Sequence, residues 1–167
     1  MVCYGGSYAD AVVSFYGTDN KLHALAGARH FLAGRDNGKR FHCGIDVYAD
    51  DGDMIVACEA GTVVNTYHFY KNVWCVVVQH DSGVVINYGE VKPESIIKYG
   101  IKKGVKVLPG QPLAQAGRMT SDSMLHFETY PQGTKANIPI PASEKAKKLQ
   151  LVFNPSQYLL ALATKGK

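Results

Sequence analysis

The chain has no apolar run near the roughly 20 residues that a membrane-spanning helix requires, which excludes a helical membrane span. Charge of one sign is also scarce: 18 basic residues against 14 acidic leave a net +4. The lysines gather late, in "SEKAKKLQ" (143–150) and the terminal "TKGK", as a solvated face and a frayed end, so no nucleic-acid surface is expected. Cysteine is sparse, with four residues (Cys3, Cys43, Cys58, Cys75) and no Cys-x-x-Cys pair. That spacing excludes a zinc–thiolate cluster, and Cys58 and Cys75, in apolar strand-like runs, are expected as buried free thiols. The opening "MVCYGGSYADAVVSFYG" lacks both a basic start and a continuous apolar core, so it does not read as a secretory signal peptide.

Helical periodicity is almost absent before residue 141; strands and turns take its place. The run "DMIVACEAGTVVNTYHFY" (53–70) holds two β-branched segments around a Glu-Ala-Gly turn. "NVWCVVVQHDSGVVINYGEV" (72–91) is a hairpin, because aspartate and glycine in "HDSG" tolerate the bent backbone. "GIKKGVKVLPGQPLAQAG" (100–117) breaks short apolar segments with glycines and a Pro-Gly turn. "MLHFETY" (124–130) alternates as a strand does. Beyond 141, "PASEKAKKLQLVF" is expected to make a turn or two of helix. "NPSQYLLALATKGK" is expected as a terminal helix with Asn154 as cap and Pro155 at its first position. The expected fold is therefore mainly β: an antiparallel two-sheet sandwich with a short C-terminal helix, in one domain. The core runs over 31–160, between an N-terminal extension (1–30) and a tail (161–167).

Two segments carry chemistry. "RFHCGIDVYA" (40–49) places His42 on a loop and Asp46 at a strand start, with Gly44 between them allowing close backbone approach. His126 sits on the later strand. Two imidazoles and a carboxylate make three zinc ligands with a fourth position left for water, the arrangement of a catalytic zinc site. On spacing alone a second reading stands beside it, a loop histidine and a satisfied strand histidine.

The order of motifs resembles the lysostaphin/LytM-type zinc metalloendopeptidases, which cut peptidoglycan peptides. "FHCGIDVYADDGDMIVACEAGTVV" resembles their His-x-Gly-x-Asp segment and the strand pair after it. "VVVQHDSGVVINYGEV" resembles their hairpin, and "KKGVKVLPGQPLAQAG" their Gly-Gln stretch. "SMLHFETY" resembles their closing His-x-His-Phe-Glu strand, and "NPSQYLL" their Asp-Pro-x-x-Tyr-Leu ending. The resemblance implies a Zn2+ cofactor held by His42, Asp46 and His126. It also implies a zinc-dependent peptide-bond hydrolase of the peptidoglycan endopeptidase type, with a peptidoglycan or other peptide as substrate.

Two departures alter that expectation. The family's Tyr-x-His reads "YGE" here, with Tyr88 kept and Glu90 in the histidine's place; the first histidine of His-x-His is Met124. A thioether takes no proton near neutral pH, so Met124 is expected to shape the substrate groove, with Tyr88 beside it. Glu90 has two readings: a general base for the attacking water, or a groove-lining acid paired to a lysine such as Lys92. The family resemblance therefore leaves two functions open, an altered hydrolase or a degenerate zinc-binding relative that holds peptidoglycan peptides or a protein partner without cleavage. His23 and His30 are expected at the surface and His80 in the hairpin turn. Tyr48 and Tyr130 are expected in core or rim packing, and Glu128 either orients His126 or forms a structural ion pair. Without a signal peptide, the chain is expected to be cytoplasmic at synthesis, or to reach a cell wall by a non-Sec route or as an effector or phage component.

Overall fold

The computed structural model describes residues 27–159. Eleven strands are formed there: β1 (Gly34–Arg35), β2 (Arg40–Phe41), β3 (Ile45–Tyr48), β4 (Met54–Val56), β5 (Gly61–Tyr70), β6 (Val73–His80), β7 (Val85–Val91), β8 (Lys106–Val107), β9 (Pro112–Gln115), β10 (Met124–Tyr130) and β11 (Ile140–Pro141). Six of them make one antiparallel sheet in the order β3-β10-β7-β6-β5-β8. β4 pairs with β9, and β2 lies between β1 and β11.

The "VWCVVVQH" run of β6 is buried along most of its length because both sheet faces are covered. Val76 and Val78 join Ile45, Val47, Ile86, Tyr88, Leu125 and Phe127 on one face, packed under the β4–β9 ribbon residues Ile55, Leu113 and Ala114. Val77 points the other way, into a smaller cluster with Cys43, Val85, Tyr130 and Ile140. The fold is therefore mainly β and antiparallel as expected. Its second layer is a short ribbon plus the helix Pro93–Lys98, whose Ile96 reaches the core. That helix lies where no helix was anticipated: it is only six residues long, but Pro93 at its first position and Glu94 in its first turn are start signals.

Residues 155–159 are helical, with the Asn154 side chain accepting from Ser156 N at 3.0 Å as a cap. The remainder of that expected helix, like His23, lies outside the described residues. Cys75 is a buried free thiol as expected, but Cys58 is not free; it is disulfide-bonded. No described helix is long and apolar enough to cross a membrane.

Candidate metal centre and cleft

Strand register builds the site. Asp46 on β3 lies directly opposite His126 on β10, and His126 in turn lies opposite Gly89 on β7. Facing side chains on adjacent strands start about 5 Å apart, so an aspartate and a histidine here must meet. Alternation puts Met124, His126 and Glu128 on this face and buries Leu125 and Phe127 in the core. His42 comes from the loop between β2 and β3. Its backbone is tied to residues 32 and 33 by the bonds Leu32 N to His42 O (2.8 Å) and His42 N to Ala33 O (2.9 Å). Gly44 lets this loop press onto β10: a Cβ there would stand 2.6 Å from Phe127 O and 2.9 Å from Glu128 Cγ.

Three lone-pair atoms converge as a result. His126 Nδ1 is 2.8 Å from Asp46 Oδ1, His42 Nε2 is 3.0 Å from the same oxygen, and the two nitrogens are 3.1 Å apart. Tetrahedral zinc with bonds of roughly 2.0–2.1 Å holds its donors about 3.3 Å apart, so an ion fits this triangle with a few tenths of an ångström of expansion. Each imidazole is also oriented from behind. His42 Nδ1 donates to His30 O at 2.9 Å, and His126 Nε2 donates to Glu128 Oε1 at 2.8 Å. Those bonds fix tautomers that leave His42 Nε2 and His126 Nδ1 facing the centre.

Electrostatics follow from these contacts. Burial pushes the Asp46 carboxyl up, but its close contacts with the His126 and His42 rings outweigh it and hold the group well below the usual carboxylate range. Its other oxygen, Oδ2, takes the Arg35 guanidinium at 3.1 Å. Glu128 is wholly buried and still ionised. Desolvation is overcome by the charge and bond of His126 and by donors from Asn87 and Cys43, which hold it at about 2. Asn137 also donates to Glu128, while Cys43 Sγ, 2.9 Å from Oε1, shares that carboxylate. Burial pushes the Cys43 thiol up, so it stays protonated and donates. Cys43, His126 and Glu128 also lie close enough to one another to count as a second possible ligand group. Their atoms are already mutually satisfied as the backing of His126.

A cleft of about 640 Å³ opens over the triangle, lined on one side by Arg35, Arg40 and Phe41 and on the other by Phe69, Tyr70, Glu90, Met119 and Met124. The Phe69 ring stacks on His126 with centroids 5.5 Å apart. Glu90 reaches this face through a β-bulge. Trp74 pairs with Val91 and Cys75 with Gly89, which leaves Glu90 as the extra residue. Regular alternation would send residue 90 to the core beside Tyr88; the bulge turns it to the cleft and puts Val91 in the core instead. The cost is a φ of 65° at a non-glycine residue. Glu90 is 4% exposed, its Oε1 accepts from the Tyr70 hydroxyl at 2.5 Å, and its Oε2 is buried with no hydrogen-bond partner among the described residues. Burial raises its pKa against the opposing pull of the His126 charge and the Tyr70 bond.

Peptidase family M23 matches residues 40–138, more than half of the chain. The chain belongs to that family. The fold is likewise that of solved M23-like structures. A zinc-containing peptidase from Vibrio cholerae superposes with a TM-score of 0.52 at 24% identity over 68% of this chain, which spans 34% of that one. The catalytic domain of the antimicrobial peptidase lysostaphin from Staphylococcus simulans gives 0.58 at 19% identity, covering 80% of this chain and 90% of that domain. LytU gives 0.54 at 21% identity, with 74% and 83% covered. No curated protein sequence matches the chain significantly.

Against the M23 pattern, the structure brings His42, Asp46 and His126 together, with Met124 and Glu90 in the same cleft. Tyr88 is a correction. It is fully buried on the opposite face, where its hydroxyl accepts from Cys58 N and donates to His80 Nε2, both at 3.0 Å. Strand alternation, interrupted only after it, sends Tyr88 to the core. Lys92 does not pair with Glu90 either; it holds Asp51 at 3.0 Å. His80 ends β6 rather than standing in the turn, and clamps the Glu59 carbonyl at 3.0 Å. The His30 ring bonds Gly27 O, and it is the His30 carbonyl that serves the site. Tyr130 is core, and Tyr48 lies under the Arg29 guanidinium at the rim. Sequence reading missed Arg35, Phe69, Tyr70, Met119 and Asn137, which no motif marks.

Proposed function

We propose that this M23 chain is a zinc-dependent hydrolase of peptide bonds in peptidoglycan, with Glu90 as base where the family pattern has histidine. One observation carries the reading. Among the described residues, a buried carboxylate with an unpartnered oxygen lines the same cleft as three converging metal-type donors.

His42, Asp46 and His126 would hold the ion, and their donor set fits zinc. When bound, zinc supplies Lewis acidity, polarising a carbonyl and acidifying water. Glu90 Oε2 takes the proton of the attacking water as its oxygen bonds to the scissile carbonyl carbon. The same carboxyl then gives that proton to the departing amine nitrogen as the C–N bond breaks, so protons balance over the turnover. Burial, which raises the Glu90 pKa, strengthens it as a base while leaving it able to donate. Met124 and Phe69 add apolar wall, which excludes water and seats the peptide.

A second reading, binding without cleavage, is favoured by one contact: Met124 occupies a family histidine position and is held by Arg29 Nη1 at 3.7 Å, with no proton to exchange. Purified protein analysed for zinc and then incubated with muropeptides and oligoglycine separates the two. Cleavage by wild type, with Glu90→Gln and His126→Ala both reduced about 10²-fold or more, supports the hydrolase. Cleavage lost in His126→Ala but intact in Glu90→Gln removes Glu90 from the mechanism. Peptide binding with no cleavage by wild type establishes the binder.

A further inference from the structure

A second bulge lies at the same end of the sheet. In β5, His68 pairs with Trp74 and Tyr70 with Val73, so Phe69 is the extra residue. Alternation would otherwise turn one of Phe69 and Tyr70 away; here both line the cleft. The β5 bulge thus delivers a phenol, and the β7 bulge delivers a carboxylate, to one point. Their hydrogen bond is short, 2.5 Å, as befits an O–H donor on a carboxylate. The Met119 sulfur also contacts that hydroxyl.

Such a contact does more than fill space. A glutamate side chain has three rotatable bonds, and a base must present one oxygen in one direction. The left-handed backbone at Glu90 fixes where the chain leaves the strand; among the described residues nothing else bonds its Oε1, and Oε2 has no hydrogen-bond partner. From the geometry we infer that Tyr70 is a positioning residue: its hydroxyl pins Oε1 of Glu90 and so holds the carboxylate in one orientation at the cleft wall, with Oε2 as its unbonded oxygen. The inference rests on Glu90 being the base. The groups acting on this carboxylate are Tyr70 from β5, His126 from β10, Asp46 from β3 and Arg29 from the 3-10 turn Gly27–Arg29. Of these, Tyr70 is the one whose hydrogen bond to it is seen.

The test is Tyr70→Phe, which keeps the ring and deletes the donor. In the full chain labelled with 13C at glutamate carboxyls, the Glu90 resonance is assigned by its loss in Glu90→Gln and then titrated. Removing a donor to the ionised form raises the Glu90 midpoint in Tyr70→Phe by about one pH unit. On a peptide that wild type cleaves, kcat falls about 10-fold with KM nearly unchanged, and in the Glu90→Gln background the same substitution has no further effect. An unmoved or lowered midpoint overturns the inference, whether or not the protein cleaves anything. So does a raised KM at unchanged kcat, which makes Tyr70 a substrate contact. Absence of cleavage by wild type counts against the base assignment alone, because the titration still decides whether Tyr70 holds the carboxylate.

Discussion

Glu90 occupies a position that should be easier to stabilise than to keep. Its φ of 65° is a conformation that costs an L-residue roughly 1–2 kcal/mol and glycine almost nothing. Its buried, unpartnered Oε2 adds a desolvation cost of about 1–3 kcal/mol. Against these stand the Tyr70 hydrogen bond, about 1 kcal/mol, and the extra chain entropy that glycine gives the unfolded state, roughly 0.4–1 kcal/mol. Packing lost with the side chain offsets part of the remainder. Glu90→Gly is therefore expected to be more stable than wild type by about 1 kcal/mol, a rise of about 3 °C in Tm, while losing the base. Glu90→Ala gives the sharper comparison, because it removes the same carboxylate but keeps the Cβ that the left-handed backbone disfavours. Glycine normally destabilises a strand relative to alanine by about 0.5–1 kcal/mol; at residue 90 the order should reverse, by about 1 kcal/mol. Urea unfolding of both variants at pH 7, with equal m-values, reads the difference directly. If Glu90→Ala is as stable as Glu90→Gly, or more so, the bulge is not strained and the cost assigned to this residue is wrong.

Gly44→Ala should fold poorly around the site, since its Cβ would meet Phe127 O at 2.6 Å; a loss of at least about 2 kcal/mol and of zinc retention after dialysis is expected, and full retention would refute the close-approach argument. Glu128→Gln keeps the shape behind His126 but removes the charge that holds Nε2 protonated, so zinc affinity measured by chelator competition should fall about 10–100-fold. His80 is buried and its pKa is lowered, chiefly by desolvation. Below the unfolded value of about 6.5 the unfolded chain binds a proton that the folded chain refuses, so this contribution to stability is complete above that pH and is lost as pH falls toward the folded pKa. His80→Gln should flatten the slope of stability against pH below about 6.5, read from denaturant midpoints, whatever its effect on absolute stability.

What the sequence made legible is what depends on regular geometry. The period of two in "MLHFETY" placed residues 124, 126 and 128 on one face, and those side chains do share it. The β-branched runs and the "HDSG" turn located the central hairpin to within a residue or two. Gly44 between His42 and Asp46 signalled the tight approach that the structure has. The failures around Glu90, Phe69 and Tyr70 share one cause. A bulge inserts a single residue and reverses the parity of everything beyond it, and no composition marks it. Counting by twos from Tyr88 cannot reveal that Glu90 faces the cleft while Tyr88 does not, nor that Phe69 and Tyr70 are both cleft residues. Arg35 and Asn137 were invisible for another reason: they reach Asp46 and Glu128 from sequence distances of 11 and 9 residues, one from a two-residue strand and one from a loop, with no period to count.

That division has a consequence for how the site changes. Two corners of the donor triangle hang on regular register, Asp46 opposite His126, so a substitution that preserves the β3–β10 pairing keeps those two donors facing each other. The proton-handling side of the cleft hangs on two irregularities, the bulges at Phe69 and Glu90. A bulge fixes which way residue 90 points but makes little demand on what stands there beyond tolerance of a left-handed backbone. Histidine, asparagine and glutamate differ greatly as bases yet meet that demand at similar cost, with asparagine and histidine the more accepting. The framework thus lets the base be exchanged without disturbing the ligands. Glu90→His should accordingly fold, keep zinc affinity within about threefold of wild type by the same competition assay, and move the acid limb of any activity toward the imidazole range near 6.5. A large loss of zinc in that variant would mean that the two halves of the site are mechanically one, and the separation of ligand and base by their strand geometry would fail.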